Sequence, residues 1–327
     1  MRLLLVILSI VASLQIVSPA QETKNILFVG NSLTYWNSLN NPDFPYCNPM
    51  LGILQKMFDE KKMNINIEKA TNGSTTLAIH ATYLGTDDPN EIFRRATQGE
   101  VPATIKKILS KHWDIVVLQE SLNDVLNPGK RYYTTEPALM RLDSLIKQVH
   151  GKTVLYQAYS EPDPGKTYII HSGQKFPRTH YLKLDTFGHM FDFFAFDPSQ
   201  MPKITGADTT FYDDSFQNTA EEFHKLQIEY NTLAAKINAG IVEVGLAFEK
   251  CKRQYPEIHL YIESDESDNN IHPSMQGAYL IACMFYKYIT GQSLDSVKYH
   301  ADLNEDEAKK LRRVAESIHP KKNNSLK

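Results

Sequence analysis

The chain has 327 residues, 42% of them hydrophobic and 22% charged, with 35 lysines and arginines against 38 aspartates and glutamates. That is the composition of a globular protein, and it excludes a disordered tail, a collagen-like repeat and a polytopic membrane protein. A net charge of −3 supplies no basic excess for phosphate-backbone binding, so no nucleic-acid partner is expected.

The chain opens with Met1-Arg2, an uncharged apolar run over residues 3–17, and Ser18-Pro19-Ala20 before Gln21. A basic start, a short apolar stretch and small residues ahead of a polar one form the pattern of a secretory signal peptide. This predicts cleavage near Ala20 and export to the periplasm or the exterior. The run falls short of the roughly 20 residues a membrane-spanning helix needs. No later segment is apolar enough to span, so the mature chain is expected to make no stable membrane insertion.

Beyond the leader, short β-rich runs alternate with helical ones. Strands are predicted over 25–30, 64–70, 114–119, 153–158 and 241–244. Helices are predicted over 49–62, 101–111, 136–150, 217–238, 274–289 and 304–317, the last capped by Asn304. Five strands separated by helical segments predict α/β architecture: a three-layer α/β/α sandwich on a mostly parallel five-stranded sheet. No Gly/Ser/Pro-rich linker divides residues 21–327, so one domain is expected.

Residues 160–216 break the alternation. They carry Pro162, Pro164, Gly165, Pro177, Pro198 and Pro202, and an aromatic run, Phe191-Asp192-Phe193-Phe194-Ala195-Phe196. A connection of this length inside a domain is a functional loop or subdomain, and its aromatic run either lines a cleft or packs locally. The three cysteines, Cys47, Cys251 and Cys283, match no disulfide framework and no metal spacing. Cys283 lies in an apolar helix and reads as a packed free thiol. His171, His180 and His189 recur every nine residues without the spacing of a metal site.

Two places carry chemistry. The first strand runs into Gly30-Asn31-Ser32-Leu33-Thr34, which puts a serine at the carboxyl end of a strand, where open α/β sheets bind ligands. Some 240 residues later, Asp268-Asn269-Asn270-Ile271-His272-Pro273-Ser274 sets a histidine in a polar loop at the start of a helix. That arrangement suits a general base with a carboxylate to orient it.

These segments resemble the sequence blocks of the SGNH (GDSL-like) hydrolases. Gly30-Asn31-Ser32-Leu33 is similar to the nucleophile block. Ala70-Thr71-Asn72-Gly73-Ser74-Thr75-Thr76 is similar to the second, whose glycine N–H helps bind an oxyanion. The stretch from Ile115 to Asp124 is similar to the third, with Asn123 at the position of its asparagine and Ser121 replacing its glycine. His272-Pro273-Ser274, with Gly277 and Tyr279, is similar to the last block. Ile241-Val242-Glu243-Val244-Gly245, ahead of an Ala/Phe-containing helix, fits the strand before it. Four blocks in order span about 250 residues of the chain.

The resemblance implies a secreted, bacterial-type serine esterase that needs neither cofactor nor metal. Ser32 would be the nucleophile and His272 the base, and the Ser32 and Gly73 N–H groups and the Asn123 amide would form the oxyanion hole. Gln119, also an amide at the end of a strand, is the alternative to Asn123. The family's aspartate position, three before the histidine, is occupied by Asn269. Asp268 takes the orienting role if the loop carries one extra residue, and Asp265 is also near. Otherwise a serine–histidine dyad supported by a backbone carbonyl remains. Glu120 reads as a supporting polar residue, and His80 either reaches the cleft or packs. Tyr35 and Trp36 form either a wall beside the nucleophile or part of the core. The expected partner is a small-molecule or glycan ester, foremost O-acetylated carbohydrate. Lipid or thioester hydrolysis is the competing activity, and a catalytically impaired glycan-binding protein is the alternative of a different class.

Overall fold

The central strand of the computed structural model is β1 (Lys24–Gly30), in which Ile26, Leu27, Phe28 and Val29 are all fully buried. Such a strand needs cover on both faces, which a parallel sheet between two helical layers provides. The structure describes residues 23–35, 48–85, 98–126, 131–160, 218–262 and 271–321, together with 91, 94, 95, 162, 175–177, 210–212 and 216. Residues 1–22, Trp36, Cys47, Asp265, Asp268, Asn269, the aromatic run at 191–196, and His171, His180 and His189 lie outside this set.

The remaining strands of the main sheet are β2 (Ile65–Thr71), β3 (Ile115–Gln119), β4 (Lys152–Tyr156) and β7 (Gly240–Val242). They run in the order β2-β1-β3-β4-β7 with every neighbour parallel. A separate antiparallel pair, β5 (Lys175–Pro177) and β6 (Thr210–Tyr212), lies within the long insertion.

Alternation along the strands divides the core. Ile26, Phe28, Val117 and Tyr156 face one layer, made of α1 (Met50–Glu60), α7 (Val244–Gln254), α8 (Met275–Thr290) and α9 (Glu305–Glu316). Leu27, Val29, Val116 and Leu155 face the other, made of α2 (Leu77–Thr82), α3 (Ala103–Ile108), α4 (Leu122–Leu126), α5 (Glu136–Gln148) and α6 (Thr219–Ile237). Phe285 of α8 meets Phe28 and Tyr156 edge-on, with ring centroids 5.0 and 5.3 Å apart, and so ties the most apolar helix to the middle of the sheet.

The five predicted strands are present within two residues at each end and the six predicted helices within three. Helix ends follow local chemistry. The Asn304 side chain accepts from the Glu307 N–H, and Asn218 caps α6, which ends at Asn238 in the left-handed conformation. The sequence pattern missed α2, α4 and a π-helical turn at Arg131–Thr135, because elements of five or six residues are too short to establish a period. Cys251 and Cys283 are free and buried, and burial raises both thiols, Cys251 to about 12. Among the described residues no helix is long and apolar enough to cross a membrane.

Two glycines give substitutions of opposite sign. A Cβ on Gly277, in the first turn of α8, would stand 2.2 Å from the Leu260 carbonyl oxygen, whereas one on Gly52 of α1 meets nothing within 4 Å. Gly277→Ala should lower stability by about 1–3 kcal/mol through overpacking against backbone. Gly52→Ala should raise it by about 0.5–1 kcal/mol by removing unfolded-state entropy. Urea denaturation of the two variants checks both signs.

Candidate active site

β1 is the topological switch point of the sheet: the chain turns from it to β2 on one side and, later, to β3 on the other. Open α/β sheets form their ligand crevice outside the carboxyl ends of strands at such a point. Gly30 ends β1 there, and only glycine fits, since a Cβ would lie 2.6 Å from Gln119 Oε1 and 2.7 Å from Thr34 Oγ1.

A tight turn follows. The Asn31 carbonyl accepts from the N–H groups of Thr34 and Tyr35 at 3.0 and 3.2 Å, and Asn31 Oδ1 accepts from the Leu33 N–H at 3.0 Å. Buried side chains from elsewhere hold this turn. Asn48 Nδ2 donates to the carbonyls of Ser32 and Leu33 at 3.0 and 2.9 Å, and the Tyr156 hydroxyl donates to the Leu33 carbonyl at 3.3 Å. Burial lifts the Tyr156 phenol well above its ordinary range, so it remains a donor. The Ser32 N–H, by contrast, donates to no described residue.

His272 comes from the far end of the sequence, and its Nε2 lies 2.9 Å from Ser32 Oγ. Its backbone is fixed by a short antiparallel contact. The His272 carbonyl accepts from the Ile262 N–H at 3.0 Å, Pro273 is bridged to Tyr261, and the Ser274 N–H donates to the Leu260 carbonyl at 2.9 Å. Ser274 then caps α8, accepting from the Gly277 N–H at 3.1 Å while its hydroxyl donates to the His259 carbonyl at 2.6 Å. Burial lowers the imidazole from 6.5 to about 4, which keeps His272 neutral at neutral pH. With Nε2 accepting from the serine hydroxyl, the ring proton sits on Nδ1.

The second and third sequence blocks follow the strands on either side of β1. Gly30 pairs in register with Thr71 and Val29 with Leu118, so Gly73 and Asn123 emerge at the same edge of the sheet as Ser32. Gly73 is exposed in the loop between β2 and α2, and its N–H has no partner among the described residues. Asn123, in the first turn of α4, likewise presents an exposed side chain with no described partner.

Gln119 does not offer a donor there, which corrects the alternative assignment of the oxyanion amide. It is fully buried, and its Nε2 donates to the Glu120 carbonyl at 2.8 Å. Its Oε1 accepts from the Asn31 N–H at 2.9 Å and the Thr34 hydroxyl at 3.0 Å. The signal that suggested it, an amide at the end of a strand, is real, but the side chain turns under the Ser32 turn instead of outward.

Glu120 spans two helix starts, accepting from the Leu77 N–H of α2 at 2.9 Å and the Ser121 N–H ahead of α4 at 2.8 Å. A carboxylate suits those positive helix ends. His80 is 4% exposed and packs beneath the site, its ring bonded to the Gly30 carbonyl at 3.0 Å and Thr104 Oγ1 at 2.8 Å. Tyr35 packs against the core with Lys69 Nζ 3.4 Å from its ring centre. Sequence reasoning missed Asn48, because Asn48-Pro49 before a helix reads only as a cap. Its Oδ1 accepts from the Met50 N–H at 3.3 Å just ahead of the Pro49 cap, while its other amide atom serves the turn. No group of three or more metal-ligating side chains occurs among the described residues.

The parallel α/β/α sandwich, with a serine and a histidine brought together at its switch point, is the fold that the four ordered sequence blocks imply. No family model matches the chain, and no curated protein matches it in sequence. Among solved structures it is similar to a DUF4886 family protein from Bacteroides uniformis, with TM-score 0.55 and 13% identity over 90% of this chain and 94% of that one. Weaker likenesses include a candidate SGNH hydrolase from Slackia heliotrinireducens, with TM-score 0.45 and 15% identity over 82% of this chain and all of that one. Another is a catalytic mutant of Axe2, an acetylxylan esterase from Geobacillus stearothermophilus, with TM-score 0.40 and 12% identity over 82% and 94% of the two chains. At these identities the likeness concerns the fold.

Burial also holds His80 at about 4. Below about 6.5 the unfolded chain takes up protons that neither buried imidazole accepts in the folded state. Their contribution to stability is therefore full above pH 6.5 and is lost as the pH falls through 4. Urea midpoints measured between pH 7.5 and 4 should decline toward acid, and His80→Gln should flatten that decline.

Proposed function

We propose that the protein is an exported serine esterase that removes acyl groups, foremost O-acetyl groups on carbohydrate, through an acyl-enzyme. The observation that carries this reading is the 2.9 Å contact between Ser32 Oγ and His272 Nε2, made across 240 residues of sequence. A depressed imidazole pKa favours the free base that accepts a proton.

In this mechanism Ser32 Oγ attacks the ester carbonyl as its proton passes to His272 Nε2. The N–H groups of Ser32 and Gly73 and the Asn123 amide then receive the charge on the tetrahedral oxygen. Collapse breaks the bond to the alcohol oxygen, which leaves with the proton from His272. Water, deprotonated by the same nitrogen, attacks the acyl-serine, and the acid departs as Ser32 recovers its proton. Asp268 orients the Nδ1–H side of the imidazole if its loop carries one extra residue relative to the family pattern. The carbohydrate assignment rests on the secretory pattern of residues 1–20, since export puts glycans and envelope polymers within reach.

Ser32→Ala should abolish labelling by a fluorophosphonate probe and lower kcat for 4-nitrophenyl acetate by about 10⁴-fold or more. Unchanged labelling would defeat the assignment and favour a glycan-binding protein. Asn123→Ala should lower kcat by about 10²–10³-fold as an oxyanion donor, whereas a change confined to KM would remove it from that role. If Asp268 orients the base, Asp268→Ala loses turnover and Asn269→Ala does not. Acetate release from acetylated glycans should exceed hydrolysis of long-chain esters; the opposite ranking would point to lipid substrates.

For kcat/KM, the free-base requirement at His272 predicts an acid limb with its midpoint below 6.5, and a pH–rate profile with the midpoint at 7 or above would contradict it.

A further inference from the structure

Three consecutive peptide units lead through the nucleophile, and together they present six polar groups. Five are bonded: the Gly30 carbonyl to His80, the Asn31 N–H to Gln119, the Asn31 carbonyl to Thr34 and Tyr35, the Ser32 carbonyl to Asn48, and the Leu33 N–H to Asn31 Oδ1. The sixth is the Ser32 N–H, which has no partner among the described residues. In a planar trans peptide the C=O and N–H point in opposite directions. Bonds at 3.0 and 2.9 Å on the two sides of the Gly30–Asn31 unit therefore prevent it from rotating about the chain axis.

We propose that His80 is a positioning residue for the reaction at Ser32, its Nε2–H locking the Gly30–Asn31 peptide against Gln119 so that the next N–H along the chain, that of Ser32, stays aimed at the oxyanion. This rests on the esterase reading. His80 is suited to the task by its surroundings. The Thr104 hydroxyl, from α3, donates to Nδ1, which leaves the ring proton on Nε2, facing the Gly30 carbonyl. The residue belongs to α2, whose N-cap Thr76 stands three residues after Gly73, and the His80 N–H returns to the Thr76 carbonyl at 3.0 Å. One imidazole thus couples the loop carrying the Gly73 N–H to the turn carrying the Ser32 N–H, and so sets the spacing between two donors from different strands. An apolar side chain would fill the space but leave the Gly30 carbonyl only the 3.4 Å contact with the Asn72 N–H.

The test compares His80→Leu, which keeps bulk and removes the donor, with His80→Gln, whose carboxamide can restore an N–H near the ring Nε2. Steady-state kinetics with 4-nitrophenyl acetate and the rate of fluorophosphonate labelling are measured well below each variant's unfolding temperature. His80→Leu should lower kcat and the labelling rate by about 10–10²-fold, the scale of a small misplacement, with KM changed less than about threefold. His80→Gln should recover most of the loss. Thr104→Val, which removes the tautomer-setting hydroxyl, should give a smaller fall in kcat and decides the matter if His80→Leu does not fold. A folded His80→Leu with wild-type kcat, or a His80→Gln no better than leucine, overturns the proposal while leaving the esterase reading intact. A wild-type chain without Ser32-dependent labelling overturns both.

Discussion

The Ser32 edge of the sheet depends on one hydrogen-bond inequality. In the three peptide units around Ser32 every other backbone group is satisfied by the turn or by a buried side chain, and among the described residues the one donor left over is the Ser32 N–H. Buried backbone groups are normally paired because an orphan costs about 1–3 kcal/mol. A fold can therefore hold one donor in reserve only by leaving it no alternative partner. Catalysis by a preorganised oxyanion hole needs this condition, since a donor already aimed at the developing charge has nothing to reorganise during the reaction.

That condition explains why the interior beneath the crevice is polar. Gln119 and Asn48 are fully buried, Glu120 and His80 nearly so, yet each makes at least two hydrogen bonds. Paired in this way they offset their own desolvation and specify a single arrangement of the three loops that follow β1, β2 and β3. Glu120 carries the arrangement outward to the starts of α2 and α4, so the loops bearing Gly73 and Asn123 are referred to the same buried frame as Ser32. The histidine side is built differently. His272 is held by backbone pairing with the 260–262 segment and by the capped start of α8, a helix anchored through Phe285 to Phe28 of the central strand. Ser32 and His272 are therefore tied to the same central strand even though 240 residues separate them.

Much of this was legible beforehand. The short β-rich runs at 25–30, 114–119 and 153–158, set between helical segments, pointed to parallel strands covered on both faces, because such strands read as apolar runs rather than as alternation. Asn304 announced its helix because a cap works through its own nearest N–H groups. That Ser32 and His272 meet was legible because their neighbours, Gly30-Asn31 before one and Pro273-Ser274 after the other, impose local geometry that survives as motif. Gln119, the alternative to Asn123, was not decided by sequence for the opposite reason. An amide can donate or accept, and which face of the strand end it occupies depends on what the adjacent strand presents.

The sequence by itself determined the layers, the strands and helices within a few residues, and the serine and histidine that the fold brings into contact, because hydrophobic period, caps and turn residues act over a few positions of chain. Only the tertiary structure decided which polar side chains stand behind Ser32: that Gln119 and Asn48 brace its turn, that His80 supports it from beneath, and that among the described residues the Ser32 N–H has no partner. Those outcomes depend on side chains meeting across 16 to 88 residues of sequence. Direction and distance between such groups exist only once the sheet has set β1 against its neighbours.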